Sequence, residues 1–206
     1  MLRILLATNN NGKVREYRSL LSELPCKLVT PAEIGITSEV PETGNTLEEN
    51  ARLKAIALAG ESHLVSLADD SGLEVDVLNG EPGPFSARYA GTNATDKDRV
   101  AYLLKRMEGI PPDKRTARFR CVIAIATPDG KVELCTGECY GIIIGEPRGK
   151  TGFGYDPVFY LPKLDKTMAE LPMELKNKVS HRGHAARSVP GVLAKLGLLK
   201  STHGSE

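Results

Sequence analysis

Asp69 and Asp70, two adjacent carboxylates, directly follow the apolar run Leu64-Val65-Ser66-Leu67-Ala68. That run reads as a buried strand, and Leu73, Val75 and Val77 resume an apolar alternation beyond it. Neighbouring like charges repel, and neither is buried cheaply, so a cation such as Mg²⁺ or a nearby Lys or Arg must offset them. At a strand's carboxyl end they would sit where open α/β sheets hold ligands. Asp, Ser and Gly are also turn formers, and a solvated turn is the simpler account of Asp69-Asp70-Ser71-Gly72 taken alone. The neighbouring motifs have to decide.

Four other stretches carry groups able to do chemistry. Thr8-Asn9-Asn10-Asn11-Gly12-Lys13 is a polar loop ahead of a helical pattern, where outward-pointing amides and a lysine suit phosphate. It lacks the spacing of a Walker A loop, and a capped surface turn is the better account of this loop taken alone. Thr46-Leu47-Glu48-Glu49 has the form of a capping box, Thr46 serving the first free amides and Glu49 reaching back. The helix it starts runs to about Ala59 and places Lys54 on a face with Leu47, Ala51, Ala55 and Leu58. Lys54 either snorkels from that face or serves a ligand. Gly149 to Pro157 sets Phe153 among glycines, letting backbone approach a ligand while the ring offers a stacking face. Finally, Lys176 and Lys178 end a helical pattern over 168–179, and Ser180-His181-Arg182-Gly183 follows at a break. His181 fits either a helix-end structural role or a ligand contact.

The elements that must position these groups are short. Met1–Ala7 reads as a strand, followed by the polar loop and a helix bearing Val14, Tyr17, Leu20, Leu21 and Leu24. Residues 26–30 form a second strand candidate, and Glu39, Glu42 and Gly44 lie in the loop after it. The Gly/Pro-dense loop 79–89 is stiffened by its prolines. A helix over about Thr95–Met107 stops at Gly109-Ile110-Pro111-Pro112. Thr116–Thr127 and Lys131–Ile144 read as a long hairpin around Pro128-Asp129-Gly130. Val158–Leu161 is a strand. The last helix, with Val192, Leu193, Leu196 and Leu199, is kinked or delayed by Pro190.

Composition bounds the possibilities. The 206 residues are 41% hydrophobic and 26% charged, ordinary for one globular domain or two small lobes sharing a core. A net charge of +1 gives no bulk attraction to nucleic acid or to a membrane surface, so a polyanion must be held by local cations. There is no apolar run of ~18 residues to span a membrane, and the first residues do not read as a signal peptide. The four cysteines, Cys26, Cys121, Cys135 and Cys139, have no second pair or histidine spaced for zinc and read as reduced thiols of a cytoplasmic protein.

Taken in order, these motifs resemble one family along nearly the whole chain. They are Leu5-Leu6-Ala7-Thr8-x-Asn10-x-x-Lys13, Glu42-Thr43-Gly44, Glu49-Asn50-Ala51 and Ala68-Asp69-Asp70-Ser71-Gly72-Leu73. Then come Pro82-Gly83 with Ser86-Ala87-Arg88-Tyr89-Ala90-Gly91, Gly152-Phe153-Gly154-Tyr155-Asp156-Pro157 and Ser180-His181-Arg182-Gly183. The family is that of the inosine triphosphate pyrophosphatases, which hydrolyse deaminated, non-standard purine nucleoside triphosphates between the α- and β-phosphates.

The resemblance implies a mixed α/β fold, an elongated twisted sheet with flanking helices and two lobes enclosing a substrate cleft. It implies one nucleotide pyrophosphatase domain over 1–206 and a homodimer; residues 201–206 read separately as a frayed tail. It implies Mg²⁺ on Glu42 and Asp70, with Asp69 supporting that site and Asp70 also the general base. Thr8, Asn9, Asn10, Asn11, Gly12, Lys13, Lys54 and Ser71 would contact substrate. Phe153, Gly154, Tyr155 and Asp156 would lie at the base, and Lys176, His181 and Arg182 would contact the nucleotide. The keto oxygen at purine C6 is the natural acceptor for such donors, and adenine's amino group would leave them unpaired. Arg88 falls near a cation of the family that touches substrate. Two alternatives remain open from sequence: a pyrophosphatase for modified pyrimidine or ordinary triphosphates, and a nucleotide-binding protein without catalysis.

Overall fold

The structure, a computed structural model, describes residues 1–199; the expected frayed tail at 201–206 lies outside the described residues. Among these, seven strands form one sheet: β1 (Leu2–Leu6), β2 (Cys26–Val29), β3 (Val65–Val75), β4 (Thr116–Ala126), β5 (Val132–Ile143), β6 (Phe159–Leu161) and β7 (Lys166–Thr167). Their order is β2-β1-β3-β4-β5-β6-β7. β1 pairs parallel to β2 and β3, whereas β6 pairs antiparallel to β5 and β7, so the sheet is mixed. Among the described residues six α-helices accompany it along the chain: α1 (Asn11–Leu20), α2 (Leu47–Ser62), α3 (Asp96–Arg106), α4 (Met173–Val179), α5 (His181–Ala186) and α6 (Val189–Lys195). The expected mixed α/β class is the observed one. Among the described residues no helix is long and apolar enough to cross a membrane.

The chain divides into two compact units. One comprises Met1–Asp70, Val122–Gly137 and the chain from Gly183; the other comprises Ser71–Cys121 and Glu138–Arg182. In the first, a core of small and branched residues (Leu5, Leu47, Ala51, Ala55, Leu58, Ala68, Val122, Ala124) seats the buried face of α2. In the second, Leu73, Val75, Leu103, Met107, Phe119 and Phe159 pack with Tyr155, Val158 and Met168.

The structure departs from the sequence expectation in three places and selects between two expected outcomes in a fourth. The Asp69-Asp70 pair does not follow a strand: β3 is a single strand of 11 residues running straight through Asp69, Asp70, Ser71 and Gly72. Turn chemistry yields here because both carboxylates find buried partners, described below. The helix expected over 168–179 is a 3₁₀ turn (Met168–Glu170) and then α4. Pro172 separates them, because proline lacks the N–H that a continuous helix needs and holds Leu171 extended, at φ −87° and ψ 138°. Thr46 caps α2 as expected, accepting from Glu49 N, but Glu49 Oε2 takes the amide of Asn45 (2.7 Å), one residue before the capping-box position. Pro190 falls in the first turn of α6, where a missing N–H costs nothing, so the helix starts late and is not kinked.

Gly72 marks a close approach. A Cβ there would lie 2.2 Å from the carbonyl oxygen of Gly83, whose segment is held beside β3 by Leu73 N and Gly83 O sharing the Ser86 hydroxyl. Gly72→Ala is expected to cost about 1–3 kcal/mol by overpacking, read as a lowered denaturant midpoint; an unchanged midpoint would refute this packing. The thiols give a second check. Burial pushes Cys135 up to about 11 and Cys139 up to about 12, and it also raises Cys26. Thiolate is the reactive form, so at pH 8 the buried Cys121, Cys135 and Cys139 should resist a thiol reagent. At most Cys26 is expected to label in the native chain, and all four after denaturation.

Candidate active site

In the first unit the polar loop after β1 becomes the start of α1. Asn10 is the N-cap: its side chain accepts from Lys13 N (3.1 Å), while its own N–H donates to Thr8 Oγ1. Of the three asparagines, Asn10 is therefore the one engaged in capping. Asn9, Asn10 and Asn11 are exposed, and Thr8, Gly12 and Lys13 half-buried. Capping at Asn10 places Lys13 in the first turn. Its ammonium donates to Asp69 Oδ1 (2.8 Å) and to the Asp69 carbonyl (3.1 Å). One turn on, the buried Tyr17 hydroxyl donates to Asp69 Oδ2 at 2.7 Å. Asp69 is 1% exposed, and both its oxygens are occupied.

Asp70 is held from α2. Lys54 Nζ donates to Asp70 Oδ1 (3.0 Å), to Glu42 Oε1 (2.8 Å) and to the Asp69 carbonyl (3.0 Å). Lys54 is thus a bridging cation here and does not snorkel into solvent. The second Asp70 oxygen, Oδ2, is buried without a hydrogen-bond partner. Burial, the largest influence, pushes the Asp70 carboxyl above its usual range against the pull of Lys54 and Lys13, with Glu42 adding to the rise. Burial by itself would lower the Lys54 ammonium, but the charges of Asp70 and Glu42 outweigh it and raise it. Among the described residues no group of three or more His, Cys, Asp or Glu side chains is gathered for a metal. Glu42 and Asp70 nevertheless lie within reach of one cation, since Lys54 bridges them, and an orphaned hard oxygen remains.

In the second unit, Phe153 is half-buried with two cations over its ring: Lys176 Nζ at 5.1 Å and the Arg182 guanidinium carbon at 5.5 Å from the centroid. Lys176 pairs with Asp156 Oδ2 at 2.5 Å, and both side chains are almost wholly buried. The same oxygen accepts from Phe153 N at 2.9 Å. Gly152, at φ +77°, has no room for a Cβ, which would fall 2.1 Å from that oxygen. Arg182, 1% exposed, donates to Ser71 Oγ at 2.8 Å. His181 is buried and stacks on Phe119, with centroids 4.7 Å apart and planes at 19°. Tyr155 is buried and donates to the Ser86 carbonyl (2.9 Å). Arg88 lies 5.0 Å over the exposed Phe85.

The predicted residues thus gather as two clusters. Glu42, Lys13, Lys54, Asp69 and Asp70 meet in one unit, and Ser71, Phe153, Asp156, Lys176 and Arg182 meet in the other. Tyr17 and Asp96 were missed. A tyrosine four residues after Lys13 on the apolar face of α1 was a readable signal, because a buried phenol seeks a partner. Asp96, which accepts from Gly154 N at 2.8 Å, left none.

The fold and site together define an α/β protein of mixed sheet whose polar centre is lodged inside a strand. A sequence model of the Ham1 family matches residues 4–190, and the chain belongs to that family. It is 49% identical over 195 residues to a dITP/XTP pyrophosphatase of Desulforamulus reducens, covering 95% of this chain and 97% of that one. To the protein of the same name from Bacillus subtilis it is 45% identical over 193 residues, covering 94% and 98%. Among solved structures, a HAM1 protein from Coxiella burnetii superposes with a TM-score of 0.85 at 44% identity, covering 95% of this chain and 100% of that one.

The Tyr17 contact is open to direct test. Tyr17→Phe removes a donor from a buried carboxylate and is expected to lower unfolding free energy by about 1–3 kcal/mol. Equal chemical-denaturation midpoints for the two proteins would show that the bond contributes nothing.

Proposed function

We propose that this chain is a Mg²⁺-dependent nucleoside triphosphate pyrophosphatase that hydrolyses deaminated purine nucleotides, ITP, dITP and XTP, to the monophosphate and pyrophosphate. The observation that carries the reading is the Asp70 carboxylate. One oxygen is held by Lys54, and the other is buried without a partner, beside two lysines in a chain of net charge +1. The relatives' shared name, dITP/XTP pyrophosphatase, supports the same substrate class.

Lys13, Lys54 and the amides at the start of α1 would bind the triphosphate, because fixed donors in a poorly hydrated setting stabilise phosphate charge more than water does. Glu42 and Asp70 fit Mg²⁺, which takes hard oxygens and keeps several waters, so two carboxylates suffice. Bound there, the ion would supply positive charge to the phosphate oxygens. Asp70 accepts a proton from the attacking water. A new P–O bond forms, the bond between the α- and β-phosphates breaks, and pyrophosphate leaves. Asp69, already engaged by Lys13 and Tyr17, orients Lys13 and takes no proton.

Phe153 stacks on the base, and Lys176, His181 and Arg182 favour a keto oxygen at C6 over an amino group. Asp70 and Ser71 are consecutive, so the phosphate-binding residues of one unit lead directly along the chain into the Ser71–Arg182 pair of the other. In this reading 1–206 is one catalytic domain of two lobes, working in the cytoplasm as a homodimer.

A substrate panel with product analysis tests the proposal. ITP, dITP and XTP are expected to turn over well above ATP, dTTP and UTP, yielding monophosphate and pyrophosphate. Turnover of dTTP or UTP at or above that of ITP overturns the specificity, and diphosphate with orthophosphate overturns the bond cleaved. Asp70→Asn is expected to lower kcat by on the order of 10²-fold or more while leaving the circular dichroism spectrum unchanged. Near-normal kcat would remove Asp70 from the chemistry.

A further inference from the structure

The backbone on both sides of Phe153 is held by carboxylates. The amide of Phe153 donates to Asp156 Oδ2 (2.9 Å) and the next amide, Gly154, donates to Asp96 Oδ2 (2.8 Å). Peptide groups are planar, so anchoring the planes on both sides of one residue restrains both of its backbone torsions. Phe153 is then left with rotation about its side-chain bonds alone, and these face Lys176 and Arg182.

The two anchors differ in origin. Asp156 belongs to the same loop and is paired with Lys176 of α4. Asp96 is the first residue of α3, and its place is set by a complete capping box in which Thr95 and Asp98 satisfy each other's amides. Its other oxygen pairs with Arg99, whose guanidinium also donates to the carbonyls of Ala87 (2.9 Å) and Ala94 (2.6 Å). Asp96 therefore ties the Phe153 loop to a helix start and to the segment 87–94 at once. Gly154, at φ +63°, presents its N–H from a left-handed conformation that glycine adopts without strain.

We propose that Asp96 is a positioning residue for nucleobase binding: it fixes the Phe153 ring through the Gly154 amide. Its loss weakens ligands that carry a base and spares those that carry only phosphate. The inference rests on the reading of Phe153 as the base platform, and the comparison with Phe153→Ala separates the two.

The test measures dissociation constants of inosine monophosphate and of pyrophosphate for the intact enzyme and its variants by calorimetry. Base–aromatic stacking is worth roughly fivefold to a hundredfold in affinity. Asp96→Ala is accordingly expected to weaken the monophosphate about tenfold and leave pyrophosphate within about twofold. Asp96→Asn keeps an acceptor oxygen for Gly154 and is expected to hold monophosphate affinity within about threefold. Should Asp96→Ala fail to fold, Asp96→Glu keeps the charge beside Arg99 while displacing the acceptor, and is expected to show the same split.

Equal weakening of both ligands would make Asp96 a general structural residue, and unchanged monophosphate affinity would make it irrelevant to the base; either overturns the proposal. So would Asp96→Asn behaving like Asp96→Ala, since the Gly154 bond would then not be the cause. If Phe153→Ala binds the monophosphate as the wild type does, the platform reading falls and this proposal with it. If Phe153→Ala weakens it and Asp96→Ala does not, only this proposal falls.

Discussion

Two carboxylates at consecutive positions in the middle of a strand impose the constraint on which the rest of this structure depends. Side chains alternate between the faces of a strand, so the carboxylates of Asp69 and Asp70 point to opposite sides and are met from different elements. Each has been given its own helix. Asp69 is met by Lys13 and Tyr17 from α1, and Asp70 by Lys54 from α2. The two lysines share the Asp69 carbonyl as a further acceptor. The cap at Asn10 matters because it starts α1 early enough for Lys13 to fall in its first turn. The cap at Thr46 does the same for α2, bringing Lys54 in after about two turns.

Arrangements of this kind are poor evidence of stability. Desolvating several charges costs free energy that their mutual attraction only partly returns, and apolar residues of similar volume would often serve the fold as well. Their presence is better explained by chemistry. The two acids are also unequal. Asp69 is satisfied on both oxygens, whereas Asp70 keeps a buried oxygen with no partner and a carboxyl raised by burial. A group poised in that way is what a proton acceptor or a ligand of a hard cation requires. The second unit repeats the theme with a buried Lys176–Asp156 pair, where Asp156 also holds the Phe153 amide. There the carboxylate orients a cation and an aromatic ring together.

Much of this was legible in the residues themselves. The Thr46 start, the helix bearing Lys54, the glycine-flanked Phe153 and the break before His181 all rest on local preferences that neighbouring residues suffice to express, whereas α1 begins inside the stretch that reads as a loop, with Asn10 as its cap. The failures are equally specific. Asp69-Asp70-Ser71-Gly72 looks like a turn because each residue favours one in isolation; β3 passes through because Lys13, Tyr17 and Lys54, distant in sequence, stabilise the charges there. Pro172 is itself a readable helix break, so the division of 168–179 needed no tertiary information. Asp96 was not readable, because its partner, the Gly154 amide, lies 58 residues away and any chain amide looks the same in sequence.

By itself, then, the sequence determined which groups are available and where several of the helices and strands begin, as at Thr46 and Thr95, since caps, periodicity and proline act within a few residues. It also determined the family, because so many short motifs in one order are hard to meet by chance. Only the tertiary structure decided which carboxylate is saturated and which keeps a buried oxygen free of partners. It alone decided that Lys54 bridges two acids, and that Phe153 is pinned by amides on both sides. Those outcomes depend on distances between segments remote in the chain, and on burial, which makes a charge costly wherever its partner is missing.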